Sequence, residues 1–239
     1  MSGRCIAMWS GPRNISTAMM RAWENRDDTV VMDEPFYAHY LHSTGLDHPM
    51  REEIIADGET DWQAVTRILS KPPESGIFYQ KHIATHWLAH YSTDWLDSLD
   101  NVFLIREPEP VVASYWVKRG DLTASDLGYE QQGFLFDLLH ERTGCRPAVI
   151  DSKRFLADPE AQLRALCEHL DIPFDMNMLS WPTGSRDTDG IWGSHWYDAV
   201  NCSTGFAPTR NRETVLSDDQ QVIADTCRPI YERLREYAI

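Results

Sequence analysis

The chain has 239 residues, of which 42% are hydrophobic and 25% charged, and its formal net charge is −15. This length suffices for a sheet covered by helices, and we predict a single domain over residues 1–239. The acidic balance argues against a nucleic-acid partner, because phosphates would be repelled. With no apolar run of membrane-spanning length, no signal-like start and no CxxC among five cysteines, we expect a cytoplasmic protein without a membrane partner.

The hydrophobic pattern predicts five strands and six helices in alternation. The strands cover residues 4–9, 29–33, 76–81, 101–106 and 147–150. The helices cover residues 14–25, 49–70, 111–119, 126–142, 159–170 and 218–237. Because strands alternate with helices and are almost continuously apolar, we predict an α/β fold: a doubly wound, mainly parallel sheet with helices on both faces.

One segment has no clear periodicity. Residues 183–209 are rich in Gly and Trp and are predicted to form a long ordered loop. Within it, residues 189–197 are unusually aromatic. Two interpretations stay open for these nine residues: a lid over bound ligands, or a packed surface loop.

Polar side chains follow the end of every predicted strand. In chain order they are Arg13, Glu34, Lys81 with His82, Arg106, and Ser152 with Lys153. Ligands of open parallel sheets bind beyond the carboxyl ends of the strands. The five ends together therefore predict one ligand site.

The first strand is followed by a turn and a predicted helix start. Residues 11–17 read Gly-Pro-Arg-Asn-Ile-Ser-Thr. Such a turn directs free backbone N–H groups and the positive end of a helix dipole at an anion. The pattern G-x-x-x-x-G-K-[ST] is absent, and Arg13 instead offers a fixed charge and a planar fork. An ordinary turn with a solvated Arg13 is the alternative interpretation.

The fourth strand supplies the second half of the predicted site. Arg106 stands at its end, and Ser114 follows eight residues later. A guanidinium and a hydroxyl two helical turns apart would suit a second phosphate. The two segments together predict a nucleotide that carries phosphates at two positions.

Three segments in order resemble those of the sulfotransferase family. Residues 11–17 resemble its 5′-phosphosulfate loop, residues 106–115 resemble its 3′-phosphate segment, and residues 156–173 are similar to its L-x-D-P…L-G-I-P stretch. The resemblance implies a fold like that of P-loop nucleotide-binding proteins. It also implies 3′-phosphoadenosine 5′-phosphosulfate (PAPS) as the sulfuryl donor.

Matched by position, the resemblance assigns donor-binding residues. Those that would hold the 5′-phosphosulfate are Gly11, Pro12, Arg13, Asn14, Ile15, Ser16 and Thr17. Arg106 and Ser114 would hold the 3′-phosphate. Ala18 stands where some members carry an aromatic residue that stacks on adenine.

The resemblance also indicates a general base. Many family members carry a catalytic Glu after the second strand, which is Glu34 here, and its carboxylate could take the proton of an acceptor hydroxyl. His82, in the partly matching Lys81-His82-Ile83, is the second candidate base. Glu34 could instead favour the dipole of a following helix.

Histidines recur every four residues at His82, His86 and His90. On a helix this spacing would resemble that of metal ligands. However, no Glu follows the first of them, and His82 belongs with the strand. We therefore expect no metal, and we expect His86 and His90 either to line an acceptor pocket or to lie at the surface.

The sequence thus predicts a PAPS-dependent sulfotransferase that acts on a hydroxyl, or an amine, of a small-molecule acceptor. Direct in-line transfer would use Glu34 as the base. Arg13 and Lys81 would balance the negative charge on the sulfuryl oxygens and the leaving phosphate. Two alternatives stay open. One is a nucleotide-dependent kinase, and the other is a non-catalytic nucleotide-binding protein. The sequence indicates neither the acceptor nor the oligomeric state.

Overall fold

The computed structural model describes residues 3–208 and 214–239. Within them, five parallel strands form one sheet in the order β2-β3-β1-β4-β5. The strands are β1 (Arg4–Ser10), β2 (Thr29–Asp33), β3 (Ile77–Ile83), β4 (Asp100–Ile105) and β5 (Ala148–Asp151). The predicted parallel α/β fold is confirmed.

Helices cover both faces of this sheet. They are α1 (Ser16–Glu24), α2 (Tyr37–Thr44), α3 (Arg51–Asp57), α4 (Trp62–Leu69), α5 (Pro108–Arg119), α6 (Tyr129–Thr143), α7 (Ser152–Ala157), α8 (Pro159–His169), α9 (Gly193–Trp196), α10 (Asp198–Asn201) and α11 (Asp218–Arg235). Strand β1 shows how the two faces are filled. Ile6 and Met8 pack with α1 and α8, whereas Ala7 and Trp9 pack on the side of α5, α6 and α11. All four side chains are fully buried.

Several helices differ from their predictions. Residues 49–70 form two helices rather than one, because Gly58 ends α3 in an extended conformation and the Asp61 side chain caps α4 by accepting from the Gln63 amide. Helices α2 and α7 were not predicted at all. Residues 183–209 contain the short helices α9 and α10, and residue 209 lies outside the described residues.

Strand β3 runs two residues further than predicted, so His82 lies inside the strand together with Lys81. Successive residues of a strand point to opposite faces. The two side chains therefore cannot serve the same site, although they are neighbours in sequence.

Candidate active site

The loop between β1 and α1 is held by hydrogen bonds to β4 and to Arg106. Arg13 adopts a left-handed conformation with φ 55°. The Asn14 side-chain Nδ2 donates to the Leu104 carbonyl in β4 at 3.0 Å, and the Arg106 guanidinium donates to the Arg13 carbonyl at 2.5 Å. A Cβ on Gly11 would lie 2.5 Å from the Leu127 carbonyl oxygen, so the loop requires glycine there. The loop is thus shaped before any ligand binds.

Helix α1 begins at this loop with its first donors unused. Its N-cap residue, Ile15, makes no side-chain cap, and its first turn carries no acidic residue. The amides of residues 16–18 have no helical acceptor, because none exists four residues earlier within the helix. These amides and the helix dipole make the loop a suitable anion site.

Two guanidiniums lie beside these amides. Arg13 Nε donates to Ser114 Oγ at 3.0 Å. Burial lowers the pKa of Arg13 and also that of Arg106, where the nearby Arg13 charge adds to the effect. Among the described residues neither guanidinium forms a salt bridge, and the neighbouring Glu107 pairs with Lys153 instead. Two partly buried cations without a counter-ion favour a doubly anionic ligand.

A buried cluster of charges lies on the other side of the loop. Lys81 Nζ contacts Asp33 Oδ1 at 2.8 Å, Glu34 Oε1 at 2.6 Å and the Tyr197 hydroxyl at 2.5 Å. The Tyr197 hydroxyl donates to Asp33 Oδ2 at 2.7 Å. Burial alone would lower the pKa of Lys81, but the two carboxylates outweigh it and the net shift is upward. Lys81 therefore stays charged, with all three of its N–H groups used.

Glu34 is the most exposed member of this cluster, at 9%, and it lines the first cavity. It has a positive φ of 39°, and its amide donates to the Lys81 carbonyl at 2.9 Å, which extends the sheet ladder by one residue. Its Oε1 accepts from Lys81, whereas its Oε2 makes no hydrogen bond to a described residue and lies 3.9 Å from His86 Nδ1. Burial raises the pKa of Glu34 despite the charge of Lys81. A carboxylate with a raised pKa is a stronger base.

Two cavities meet at the loop. The first is lined by the loop, by Glu34 and Lys81, and by a wall of aromatic and histidine side chains. The second contains Arg106 and Ser114 together with apolar side chains such as Leu156 and Phe206. Arg13, Asn14, Thr17, Trp196 and Tyr197 line both cavities. A group bound at the loop would be reachable from either side.

Most of the residues predicted for the site line these cavities. Those on the first are Pro12, Arg13, Asn14, Ser16, Thr17, Glu34 and Lys81. Those on the second are Arg13, Asn14, Ile15, Thr17, Arg106 and Ser114. Gly11 and His82 line neither cavity. The structure thus brings together segments that are more than 90 residues apart in the chain.

The histidine series does not form one face. His82 lies within β3, where its ring stacks on Trp9 with centroids 4.3 Å apart, and burial lowers its pKa to about 3. His86 ends a short 3₁₀ turn and lines the first cavity, whereas His90 is exposed. Among residues 3–208 and 214–239, no three potential ligands gather as a metal site would require.

The aromatic segment of residues 189–197 is fastened over the first cavity. Arg21 forms a salt bridge with Asp189 at 2.6 Å, and the Gly190 amide donates to Asp33 Oδ2 at 3.0 Å. Trp192 Nε1 donates to the Tyr197 hydroxyl at 3.1 Å. The segment is packed on the site as a wall.

Sequence reasoning missed several members of the site. Asp33 was assigned only to the end of a strand, and Tyr197 only to an aromatic loop. The wall residues Tyr37 and Tyr115 were not identified. Tyr37 lies in α2, which was not predicted, and Tyr115 lies in α5, where only Ser114 was given a role. A detectable signal was the pair of adjacent acids before Pro35, because two buried carboxylates at a strand end require a cation such as Lys81.

No helix among the described residues is long and apolar enough to cross a membrane. The chain is similar to two proteins of Arabidopsis thaliana. It is 33% identical to branched-chain-amino-acid aminotransferase-like protein 2 over 231 residues, which is 96% of this chain and 41% of the relative. It is 32% identical to branched-chain-amino-acid aminotransferase-like protein 1 over 233 residues, which is 97% of this chain and 42% of the relative. The chain thus spans about two-fifths of the length of these relatives.

Two solved structures share the fold. A sulfotransferase from Alicyclobacillus acidocaldarius superposes with a TM-score of 0.54 and 13% identity, covering 98% of this chain and 95% of the other. The sulfotransferase domain of the Synechococcus PCC 7002 olefin synthase gives a TM-score of 0.52 with 17% identity and covers 94% of both chains. A family model described as a sulfotransferase domain matches residues 4–238. The chain therefore belongs to the sulfotransferase family.

Proposed function

We propose that the chain transfers a sulfuryl group from PAPS to a hydroxyl of a small-molecule acceptor. The observation that carries this proposal is the meeting of two cavities at one anion-binding loop. A donor in the second cavity and an acceptor in the first would present their reacting atoms to each other across residues 12–17. Holding both reactants in that geometry supplies much of a transfer reaction's acceleration.

The donor side fits a nucleotide with two separate anionic groups. Free amides at the start of α1 suit the 5′-phosphosulfate, and Arg106 with Ser114 suits a 3′-phosphate. Arg13 lies between them, since its Nε already contacts Ser114 while its backbone forms the loop. Position 18 is Ala and cannot stack on the adenine ring. The apolar surface of Leu156 and Phe206 supports placement of the adenine in the second cavity.

Glu34 is the proposed general base. As the acceptor oxygen bonds to sulfur, the bond from sulfur to the 5′-phosphate oxygen breaks and the acceptor's proton moves to Glu34. Oε2 faces the cavity and is the available oxygen, because Oε1 is held by Lys81. Lys81 would act through its charge, since its three N–H groups are engaged.

Two observations weigh against the alternatives. A kinase of this fold needs a Lys-Ser or Lys-Thr pair in the loop, and residues 13–17 do not supply one. In a non-catalytic protein where Glu34 had only a capping role, its carboxylate would cap α2. Instead α2 begins at Tyr37 without a side-chain cap, and the Glu34 carboxylate contacts Lys81.

Thermal unfolding with two nucleotides tests this proposal. Because a ligand that binds the folded state stabilises it by mass action, 3′-phosphoadenosine 5′-phosphate should raise the unfolding midpoint at concentrations well above its dissociation constant. ATP with Mg²⁺ at the same concentration should raise it much less. A larger shift with ATP and Mg²⁺ would favour the kinase and contradict the proposal.

A further inference from the structure

His86 contributes to the first cavity a buried nitrogen that has no partner among the described residues. Nδ1 of His86 makes no hydrogen bond to any described residue, and the side chain is only 5% exposed. Buried polar atoms are nearly always paired, so an unpaired one in a residue that lines a cavity points to a ligand atom that completes it. The Glu34 mechanism leaves this nitrogen unused.

The His86 ring is fixed by its neighbours. It stacks on Tyr37 with centroids 4.5 Å apart and an interplanar angle of 9°, and on Tyr40 at 4.8 Å. The Tyr37 hydroxyl is itself held by His48 Nδ1 at 2.9 Å. The orientation of His86 is therefore a property of the folded chain and does not need a ligand.

The distance from His86 Nδ1 to Glu34 Oε2 is 3.9 Å, which is too long for a direct hydrogen bond. An oxygen atom about 2.8 Å from each would lie off the line that joins them, with an angle of about 90° at that oxygen. A hydroxyl oxygen meets this requirement, because it can donate its proton to one neighbour and accept from the other. The spacing of the two atoms thus suits one bridging hydroxyl group.

We propose that His86 is a second acceptor-binding group, whose Nδ1–H donates to the acceptor hydroxyl oxygen while that hydroxyl donates to Glu34 Oε2. This inference rests on the proposed role of Glu34 as the base. The remaining lone pair of the oxygen is then free to attack sulfur. The acceptor's proton passes to Glu34, and His86 keeps its own proton throughout.

The arrangement also selects the acceptor class. A protonated amine has no lone pair to accept from Nδ1–H, so it cannot complete this site, whereas an uncharged hydroxyl can. Burial lowers the pKa of His86 well below its usual range, so the ring is neutral and only one of its nitrogens carries hydrogen. Donation from Nδ1 requires the Nδ1–H tautomer.

Nitrogen-15 NMR of the imidazoles tests the tautomer without any turnover. Protein with labelled histidine should give His86 signals of a neutral ring protonated at Nδ1. A His86→Asn sample, which lacks those signals, assigns them. A ring protonated at Nε2 would overturn the inference, whatever the activity of the protein.

Kinetics with labelled PAPS and benzyl alcohol form the second arm. In His86→Asn the amide nitrogen stands in place of Nδ1, whereas in His86→Gln it stands in place of Nε2. We expect His86→Asn to keep kcat/KM within about threefold and His86→Gln to lose about tenfold, the effect of one hydrogen bond. The exposed His90→Gln is the control, and binding of 3′-phosphoadenosine 5′-phosphate should match wild type in all variants.

The other outcomes are distinct. Equal kcat/KM for the Asn and Gln variants would contradict donation from Nδ1. A folded His86→Asn that binds nucleotide but has lost turnover would make His86 the base, and benzylamine sulfated as readily as benzyl alcohol would contradict the selection for hydroxyls. Failure of wild type to bind 3′-phosphoadenosine 5′-phosphate would instead refute the proposed function. The NMR measurement would still show which ring nitrogen of His86 carries hydrogen.

Discussion

The two sides of the site are built in different ways. The donor side is a backbone structure, in which residues 11–17 and the start of α1 provide amides whose positions are set by local geometry. The acceptor side is a side-chain structure, in which Asp33, Glu34, Lys81 and Tyr197 are buried together from three distant segments. A backbone site can vary in side chains and still bind an anion, whereas a buried charge cluster depends on each of its members.

This difference predicts that changes on the acceptor side affect chemistry and stability, whereas changes on the donor side affect nucleotide affinity. Variants on each side can break or sharpen that division.

Glu34→Gln should lower turnover by about a hundred- to ten-thousand-fold, the usual cost of removing a general base. Binding of 3′-phosphoadenosine 5′-phosphate should be unchanged, because the carboxylate lies on the acceptor side. Steady-state rates and calorimetry measure the two quantities, with the exposed Glu53→Gln as the control. Near-normal turnover in a folded Glu34→Gln would remove Glu34 from the chemistry.

Arg106→Ala should weaken binding of 3′-phosphoadenosine 5′-phosphate by about 2–4 kcal/mol, the effect of losing one charge-assisted contact in a partly buried site. AMP, which lacks the 3′-phosphate, should lose little. Titration calorimetry compares the two nucleotides, and the exposed Arg67→Ala serves as the control. Equal losses for both would show that Arg106 acts only by holding the Arg13 carbonyl.

Tyr197→Phe removes a hydroxyl that contacts both Lys81 and Asp33 in the buried cluster. We expect the free energy of unfolding to fall by about 1–3 kcal/mol, because buried polar groups lose a partner. Urea unfolding measures this loss. Tyr237→Phe is the matched control, since the Tyr237 hydroxyl has no hydrogen-bond partner in the described part of the chain, and an equal loss there would argue against the cluster.

Acid should destabilise the acceptor side through its neutral histidines. Burial lowers the pKa of His48 to about 4, below its usual 6.5. Between these two pH values His48 is protonated in the unfolded chain and neutral in the folded chain. The free energy of unfolding should therefore fall as pH drops from about 6.5 to 4. His48→Gln should reduce that slope by up to about 1.4 kcal/mol per pH unit. An unchanged slope in urea unfolding at several pH values would mean that His48 is solvated.

The fold and the donor side could largely be predicted from the sequence. Apolar runs and strand-end residues such as Arg13 and Arg106 are local signals, and the order of three short motifs indicated the family. The acceptor side was less accessible, because Tyr197 and His86 reach the site only through tertiary packing. Helix α2 was missed for the same reason, as its residues are held by burial against residues 48, 86 and 192 rather than by periodicity.

The placement of His82 shows a further limit of sequence reasoning. Lys81 and His82 are adjacent, and the sequence offered both for one site. Because β3 continues through both residues, they point to opposite faces, and only Lys81 reaches the cavity. The end of a strand decides which residues can act together, and that boundary is the least certain feature of a sequence-based prediction.

The most direct test of the account follows labelled sulfur. Purified protein is incubated with PAPS carrying sulfur-35 and with benzyl alcohol, and both the labelled product and the released 3′-phosphoadenosine 5′-phosphate are quantified. We expect one labelled sulfate ester per nucleotide released, with strong loss of both in Glu34→Gln and retained nucleotide binding. Nucleotide binding with no transfer above the Glu34→Gln background, over a panel of alcohols, would contradict it.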